Sequence, residues 1–229
     1  MIVGLTGARG MLGQELVREA TARSIELVPW DREQFDILDR QATSREISAV
    51  QPKVVIHAAA WTDVDGCEAD PQKAYEVNGC GTENVARACE ACGAALVYVS
   101  TDYVFSGEKQ GPYLEDDATD PINEYGKSKR IGEDAVEKLG AKGIVVRTSW
   151  VYADHGKNFV MTMLRLGREG KPLRVVDDQI GVPTFAADLA RALLDLASAA
   201  ARGKAQGIYH VTNAGAISWY GFARTIFQF

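Results

Sequence analysis

Short apolar runs alternate with longer amphipathic stretches along almost the whole chain, the pattern of repeated β-α-β units. Met1–Thr6 is apolar with β-branched residues and predicts a strand. Met11–Ala22 sets Leu12, Leu16 and Val17 on one helical face. Ile25–Trp30 predicts a second strand. Val54–Ala60 predicts a third, apolar on both faces as a strand inside a parallel sheet must be. Pro71–Cys92 predicts one long helix, with Pro71 tolerated in its first turn. Ala94–Ser100 reads as a strand and Ser106–Asn123, rich in Gly, Pro, Asp and Glu, as a loop. Glu124–Leu139 is helical, and Gly143–Val151 is a strand.

The last third is less regular. Asn158–Arg168 predicts a helix, Leu173–Val176 a short strand and Ala186–Ala201 an alanine-rich helix. Ile208–Val211 predicts another strand, and Ser218–Phe229 begins a helix. The whole predicts an α/β fold, a doubly wound parallel sheet of Rossmann type with right-handed crossovers. Residues 1–150 are expected to form the dinucleotide-binding part with the catalytic residues. Residues 151–229 are expected to supply a small substrate lobe and to return in part to the core.

Composition narrows the function. A chain of 229 residues buries a sizeable core without cross-links. A net charge of -6 and a pI near 5.2 argue against nucleic acid as a partner. No apolar run is long enough to span a bilayer, and no leader sequence is evident, so the expected location is the cytoplasm. The four cysteines, Cys67, Cys80, Cys89 and Cys92, are then expected to be reduced thiols. Cys89 and Cys92 form a single C-x-x-C without the second ligand pair that structural zinc needs, so no metal is expected.

Gly7, Gly10 and Gly13 follow the first strand and open the first helix, in T-G-A-R-G-M-L-G. Glycine permits the tight turn there and lets a pyrophosphate reach the free N–H groups of the helix N-terminus. At the end of the second strand Asp31 suits the ribose hydroxyls of NAD, whereas Arg32 suits the 2′-phosphate of NADP. The pair leaves NADPH or NADH open. Asp36 and Ile37 are candidates to border the adenine, and the small side chains of Ala58, Ala59 and Ala60 leave room for a cofactor.

Tyr125 and Lys129 lie four apart in a predicted helix and share a face. Alone that spacing is common, but it follows a dinucleotide loop and Ser100–Thr101–Asp102 at another strand's end. Reducing a ketone requires hydride at carbon and a proton at oxygen. A phenol does this work near neutral pH when an ammonium stabilises its anion, so Lys129 is expected to lower the Tyr125 pKa. Thr101 offers a hydroxyl to the carbonyl oxygen, and Asp102 tunes the local field.

These motifs resemble those of the extended short-chain dehydrogenase/reductases. The resemblance is strongest to the dTDP-4-dehydrorhamnose reductase family. It is carried by H-A-A-A-W-T-D-V-D, Y-E-V-N-G-C-G-T-E-N, S-T-D-Y-V-F, Y-G-K-S-K, R-T-S-W-V-Y and D-Q-I-G-V-P-T in that order. It implies an NAD(P)H-dependent oxidoreductase of dTDP-rhamnose biosynthesis, reducing the 4-keto group of a dTDP-linked deoxysugar. It implies Tyr125 as proton donor, Lys129 as its partner and cofactor ligand, and Thr101 as the carbonyl-binding hydroxyl. Gly10, Met11 and Leu12 would contact pyrophosphate through the backbone, and Asn78 would support the cofactor side. Thr101, Asp102, Tyr103 and Trp150 would border the deoxysugar, and Gln179, Pro183 and Thr184 the nucleotide half. Members of the family continue beyond the position of Phe229, so the resemblance implies a shortened substrate lobe. It also implies that an interface metal held partly by that missing tail is not carried over. Alternatives on the same fold are another sugar-nucleotide reductase or epimerase, or a non-catalytic subunit like the β subunit of methionine adenosyltransferase. The oligomeric state, monomer or homodimer, is left open.

Overall fold

The computed structural model describes residues 1–33, 36–170 and 172–228. The elements run β1 (Ile2–Thr6), α1 (Met11–Ala22), β2 (Glu26–Trp30), α2 (Arg40–Val50), β3 (Val54–His57), α3 (Val64–Ala69) and α4 (Pro71–Ala74). A π-helical turn, Tyr75–Cys80, leads into α5 (Gly81–Cys92). Then follow β4 (Ala95–Thr101), α6 (Glu124–Glu137), β5 (Gly143–Thr148), β6 (Val151–Tyr152), α7 (Phe159–Arg168), β7 (Ile180–Gly181) and β8 (Thr184–Phe185). The chain closes with α8 (Ala186–Ala201), β9 (Gly207–His210), β10 (Ile217–Ser218) and α9 (Trp219–Ile226). The helix predicted to run to Phe229 is seen to Ile226; Phe229 lies outside the described residues.

Six parallel strands pair in the order β2-β1-β3-β4-β5-β9. Both faces of the sheet are covered, so its strands are apolar throughout. Val3, Leu5, Val54, Ile56, Val97 and Val146 pack one face against α1 and α8. Val55, Leu96, Tyr98 and Val145 pack the other with Ile47, Val85 and Val136 of α2, α5 and α6. The later part of the chain re-enters this core through α8 and β9. Its remaining pieces, the β6–β8 and β10–β7 pairs with α7 and α9, lie beyond β5 in sequence.

Four expectations are corrected. The predicted helix Pro71–Cys92 is interrupted by the π-helical turn, where the Asn78 side chain is bonded to the backbone of Trp61. The predicted strand Gly143–Val151 stops at Thr148, because Trp150 adopts a left-handed φ of 47°. The third strand ends at His57, so Ala58–Ala60 lie just past it. Leu173–Val176 forms no strand: Leu173 and Val175 turn inward as the alternation suggests, but no strand pairs with them. Helix α2 was missed because only Ala42, Thr43 and Ile47 are buried on it; Asp39 starts it by accepting from Gln41 and Ala42 N–H.

Candidate active site

The strand order reverses at β1, whose neighbours β2 and β3 leave it on opposite sides. The crevice at the carboxyl ends of such strands is where doubly wound folds bind ligands. Here it is a cleft of about 970 Å³, including the part open to solvent. Thr6, Gly7, Gly10, Asp31, Arg32, Asp36, Ile37 and Ala58–Ala60 line it, so most of the predicted cofactor residues come together. Gly7 turns the chain at φ 75°, and a Cβ there would sit 2.7 Å from the Ala59 nitrogen. A Cβ on Gly10 would meet only the Gly7 carbonyl oxygen, leaving a bare backbone facing the cleft. Met11, Leu12 and Gly13 form the first turn of α1 behind it.

At the β2 end, Arg9 joins the picture. Its Nε lies 2.8 Å from Asp31 Oδ2, and its Nη1 lies 2.8 Å from Glu33 Oε1. Arg32 reaches Asp36 Oδ2 at 3.5 Å. Both arginine side chains are largely exposed, at 66% and 80%, at the rim of the cleft. Sequence reading missed Arg9, Trp61, Lys73 and Val77 as cleft residues. Arg9 was legible, since it stands between two loop glycines; the others come from α4 and its surroundings and only the fold brings them in.

The chemical groups sit beside this cleft, where β4 ends. Thr101 is the last residue of β4, and its Oγ1 lies 3.1 Å from Asp102 Oδ1 and caps the following turn through Tyr103 N–H. Asn123 caps α6 by accepting from Gly126 N–H, which sets the first turn carrying Tyr125. Tyr125 is buried, and its ring meets that of Tyr103 edge-on at 5.7 Å. Burial first, and then the Asp102 carboxylate, push the Tyr125 pKa up, while the nearby Thr101 hydroxyl pulls the other way. Burial also raises Asp102, to about 6.

Lys129 is buried to 2% exposure. Its Nζ donates to the Val99 carbonyl at 2.8 Å and lies 4.0 Å over the Tyr98 ring. Desolvation lowers its pKa to about 7, with Glu133 acting in the opposite direction. The expected lowering of the Tyr125 pKa by Lys129 is therefore not found. Its ammonium is spent on Val99 and Tyr98, and the phenol answers to burial and Asp102. Glu133 itself is fully buried, bound by Arg147 through Nε and Nη2 at 3.0 and 2.8 Å and by Ser100 Oγ at 2.6 Å.

Beyond β5, Trp150 stacks on Trp219 with centroids 3.5 Å apart. Its indole lies so close to Gly181 that a Cβ there would be 2.4 Å away. Trp219 was not anticipated. Gln179 is exposed and Pro183 half-buried, while Thr184 is buried with its hydroxyl turned to the Val182 carbonyl. A separate groove is lined by Leu173, Arg174, Tyr220 and Arg224 among others, and none of those three residues lines it. Glu15, Asp154 and His155 are the one group of possible metal donors found among the described residues, with donor atoms within 4.8 Å. Glu15 is already paired with Arg18 and His155.

A dinucleotide fits the residues present: a glycine cradle whose backbone faces the cleft, cations at one end, and a hydroxyl and phenol near the other. Thr148, paired in register with Thr101, also keeps a buried Oγ1 with no partner among the described residues. Fold and cleft together define an NAD(P)-dependent oxidoreductase of Rossmann type.

The model of the RmlD substrate binding domain matches residues 1–229, and the chain belongs to that family. It is 45% identical over 226 residues to dTDP-4-dehydrorhamnose reductase of Streptomyces griseus, covering 98% of this chain and 74% of that one. It is 43% identical over 224 residues to the spore coat polysaccharide biosynthesis protein SpsK of Bacillus subtilis, covering 98% and 77%. Among solved structures, dTDP-4-dehydrorhamnose reductase from Bacillus anthracis in complex with NADP superposes with a TM-score of 0.93 at 42% identity, over 99% of this chain and 80% of that one.

Proposed function

We propose that this chain reduces the 4-keto group of dTDP-4-dehydro-6-deoxy-L-mannose to give dTDP-L-rhamnose, using NADPH or NADH in the cytoplasm. The observation that carries the reading is the gathering of Thr101, Tyr125 and Lys129 at the carboxyl edge of the sheet beside the dinucleotide cleft. Family membership supports the substrate class.

The cofactor, when bound, supplies the hydride. Gly7, Gly10, Met11, Leu12 and Gly13 hold its pyrophosphate, and Ala58–Ala60 form the floor beneath it. Asn78 braces that floor through Trp61. Asp31, Arg9 and Arg32 receive the adenosine end, and Asp36 and Ile37 border the base. Tyr125 donates the proton to the ketone oxygen. A phenol is protonated at neutral pH, the form a reductase needs, and burial shifts Tyr125 further toward that form. The Thr101 hydroxyl binds the same oxygen, and it then stabilises the phenolate left on Tyr125. Lys129, one helical turn on, binds the nicotinamide ribose through its ammonium. Asp102, Tyr103 and Trp150 border the deoxysugar, while Gln179, Pro183 and Thr184 lie toward the nucleotide. Residues 1–150 thus supply cofactor and chemistry, and residues 151–229 the substrate side.

The test is spectrophotometric: oxidation of NADPH and of NADH with dTDP-4-dehydrorhamnose. Turnover with saturable dependence on the sugar nucleotide is expected. Cofactor binding without turnover at saturating substrate refutes the assignment.

A further inference from the structure

His57 ends β3, is fully buried and has no part in the chemistry described above. Its ring lies between two hydroxyls from different elements. Thr6 Oγ1, at the end of β1, is 2.6 Å from Nδ1, and Thr82 Oγ1, on α5, is 3.1 Å from Nε2. Competition for one proton sets the polarity of both bonds. The Asn78 carbonyl, at 2.7 Å, is the nearer acceptor for the single Thr82 hydroxyl proton, which leaves Oγ1 to accept from the imidazole. Nε2 therefore carries the ring proton, Nδ1 is bare, and Thr6 donates to it. Thr6 Oγ1 in turn accepts from Ala59 N–H at 3.4 Å.

The chain of bonds continues at Asn78, within the π-helical turn. Its Oδ1 accepts from Trp61 N–H at 2.8 Å, and its Nδ2 donates to the Trp61 carbonyl and to Ser128 Oγ, each at 3.0 Å. Ser128 donates to the Tyr125 carbonyl at 2.7 Å. Ala59 and Trp61 line the cofactor cleft, whereas Ser128 and Tyr125 sit on the catalytic helix. The cleft floor and the helix of Tyr125 and Lys129 are thus joined by a chain of buried and part-buried bonds, in which the His57 ring links β1 to α5.

We propose that His57 is a positioning residue, held neutral as the Nε2–H tautomer, that sets the cofactor cleft in register with the helix carrying Tyr125 and Lys129. A protonated ring would place a second N–H against the Thr6 proton and break the chain at its cofactor end. Tyr98 stacks on the ring at 5.6 Å, which helps keep water from it, and the Lys129 cation disfavours a second charge nearby. The catalytic half of the inference rests on the reduction proposed above, but the tautomer does not.

The decisive measurement is nitrogen NMR of the full chain with labelled histidine. There are only three histidines, and the spectrum of His57→Gln assigns the one in question. The expected result is a neutral Nε2–H pattern unchanged between about pH 5 and about pH 8, while an unconstrained ring titrates near 6.5. An Nδ1–H pattern, or titration in that range, overturns the proposal whether or not the chain turns over. The second arm is Thr82→Val, which cuts the link without touching the cleft. A fall in kcat of about tenfold is expected, with the NADPH dissociation constant within about twofold. Adding His57→Gln should then cost kcat little more, because Thr82 reaches the end of β1 only through His57. Unchanged kcat in Thr82→Val, or losses that simply multiply, overturns the positioning role. If the wild-type chain shows no turnover, the reduction falls and the NMR result alone decides the state of His57.

Discussion

At the scale of single residues, the site separates a group that gives a proton from a group that gives charge. In the proposed reduction Tyr125 holds the proton that the ketone oxygen receives, so Tyr125→Phe is expected to lower turnover by about 10²-fold or more while leaving NADPH binding nearly intact by fluorescence titration. Equal activity in that variant removes the phenol from the mechanism. Lys129 has its pKa lowered to about 7, so its charge is complete below that pH and lost above it. For the free enzyme, kcat/KM is expected to fall on the alkaline side with an apparent pKa near 7. Lys129→Arg should shift that limb upward, because guanidinium holds its proton. Arg9 bridges the glycine loop to Asp31 and Glu33 and, once turned, suits a 2′-phosphate. Arg9→Gln is expected to weaken NADPH about tenfold and NADH little, read as the ratio of the two KM values. These roles follow from residue type and near neighbours, which is why Tyr125, Lys129 and Thr101 were legible in the sequence. The orientation of the Lys129 ammonium was not, because Val99 and Tyr98 reach it only through sheet packing.

At the scale of elements, one buried carboxylate ties α6 to both β4 and β5. Glu133 binds Arg147 of β5 and Ser100 of β4, and nothing in its local sequence marks it apart from a solvated helical acid. Removing it leaves Arg147 buried and uncompensated, so Glu133→Ala is expected to cost about 3–5 kcal/mol in denaturant unfolding. A cost under about 1 kcal/mol would show that the pair is not holding the helix. Helices α1 and α8 matched their predicted bounds because their apolar faces are continuous. Helix α2 and the two-residue strands β7, β8 and β10 were missed, since so few side chains on them are buried.

At the scale of the whole molecule, stability should carry the mark of a neutral buried histidine. Burial lowers the His57 pKa from 6.5 to about 3, so between these values the unfolded chain takes up a proton that the folded chain refuses. The stability associated with His57 is complete above pH 6.5 and is lost as pH falls toward 3. The slope is up to about 1.4 kcal/mol per pH unit. Asp102, with its pKa raised to about 6, acts in the opposite direction between about 4 and 6, because its folded form keeps the proton. Comparing wild type with His57→Gln by denaturant unfolding at several pH values isolates the histidine, and identical slopes would refute its exclusion from titration.

The sequence by itself determined the sheet, the glycine loop, the end of β4 and the helix of Tyr125 and Lys129, because each rests on local periodicity or on residues close in the chain. It also carried the family, through motifs spread along the whole length. Only the tertiary structure decided that the long helix opens at Asn78, that Trp150 turns back to stack on Trp219, and that Lys129 faces Val99. It alone brought Thr6, His57 and Thr82 into contact from three separate segments. Such contacts join residues tens of positions apart, and their energy exists only once burial removes water as the competing partner.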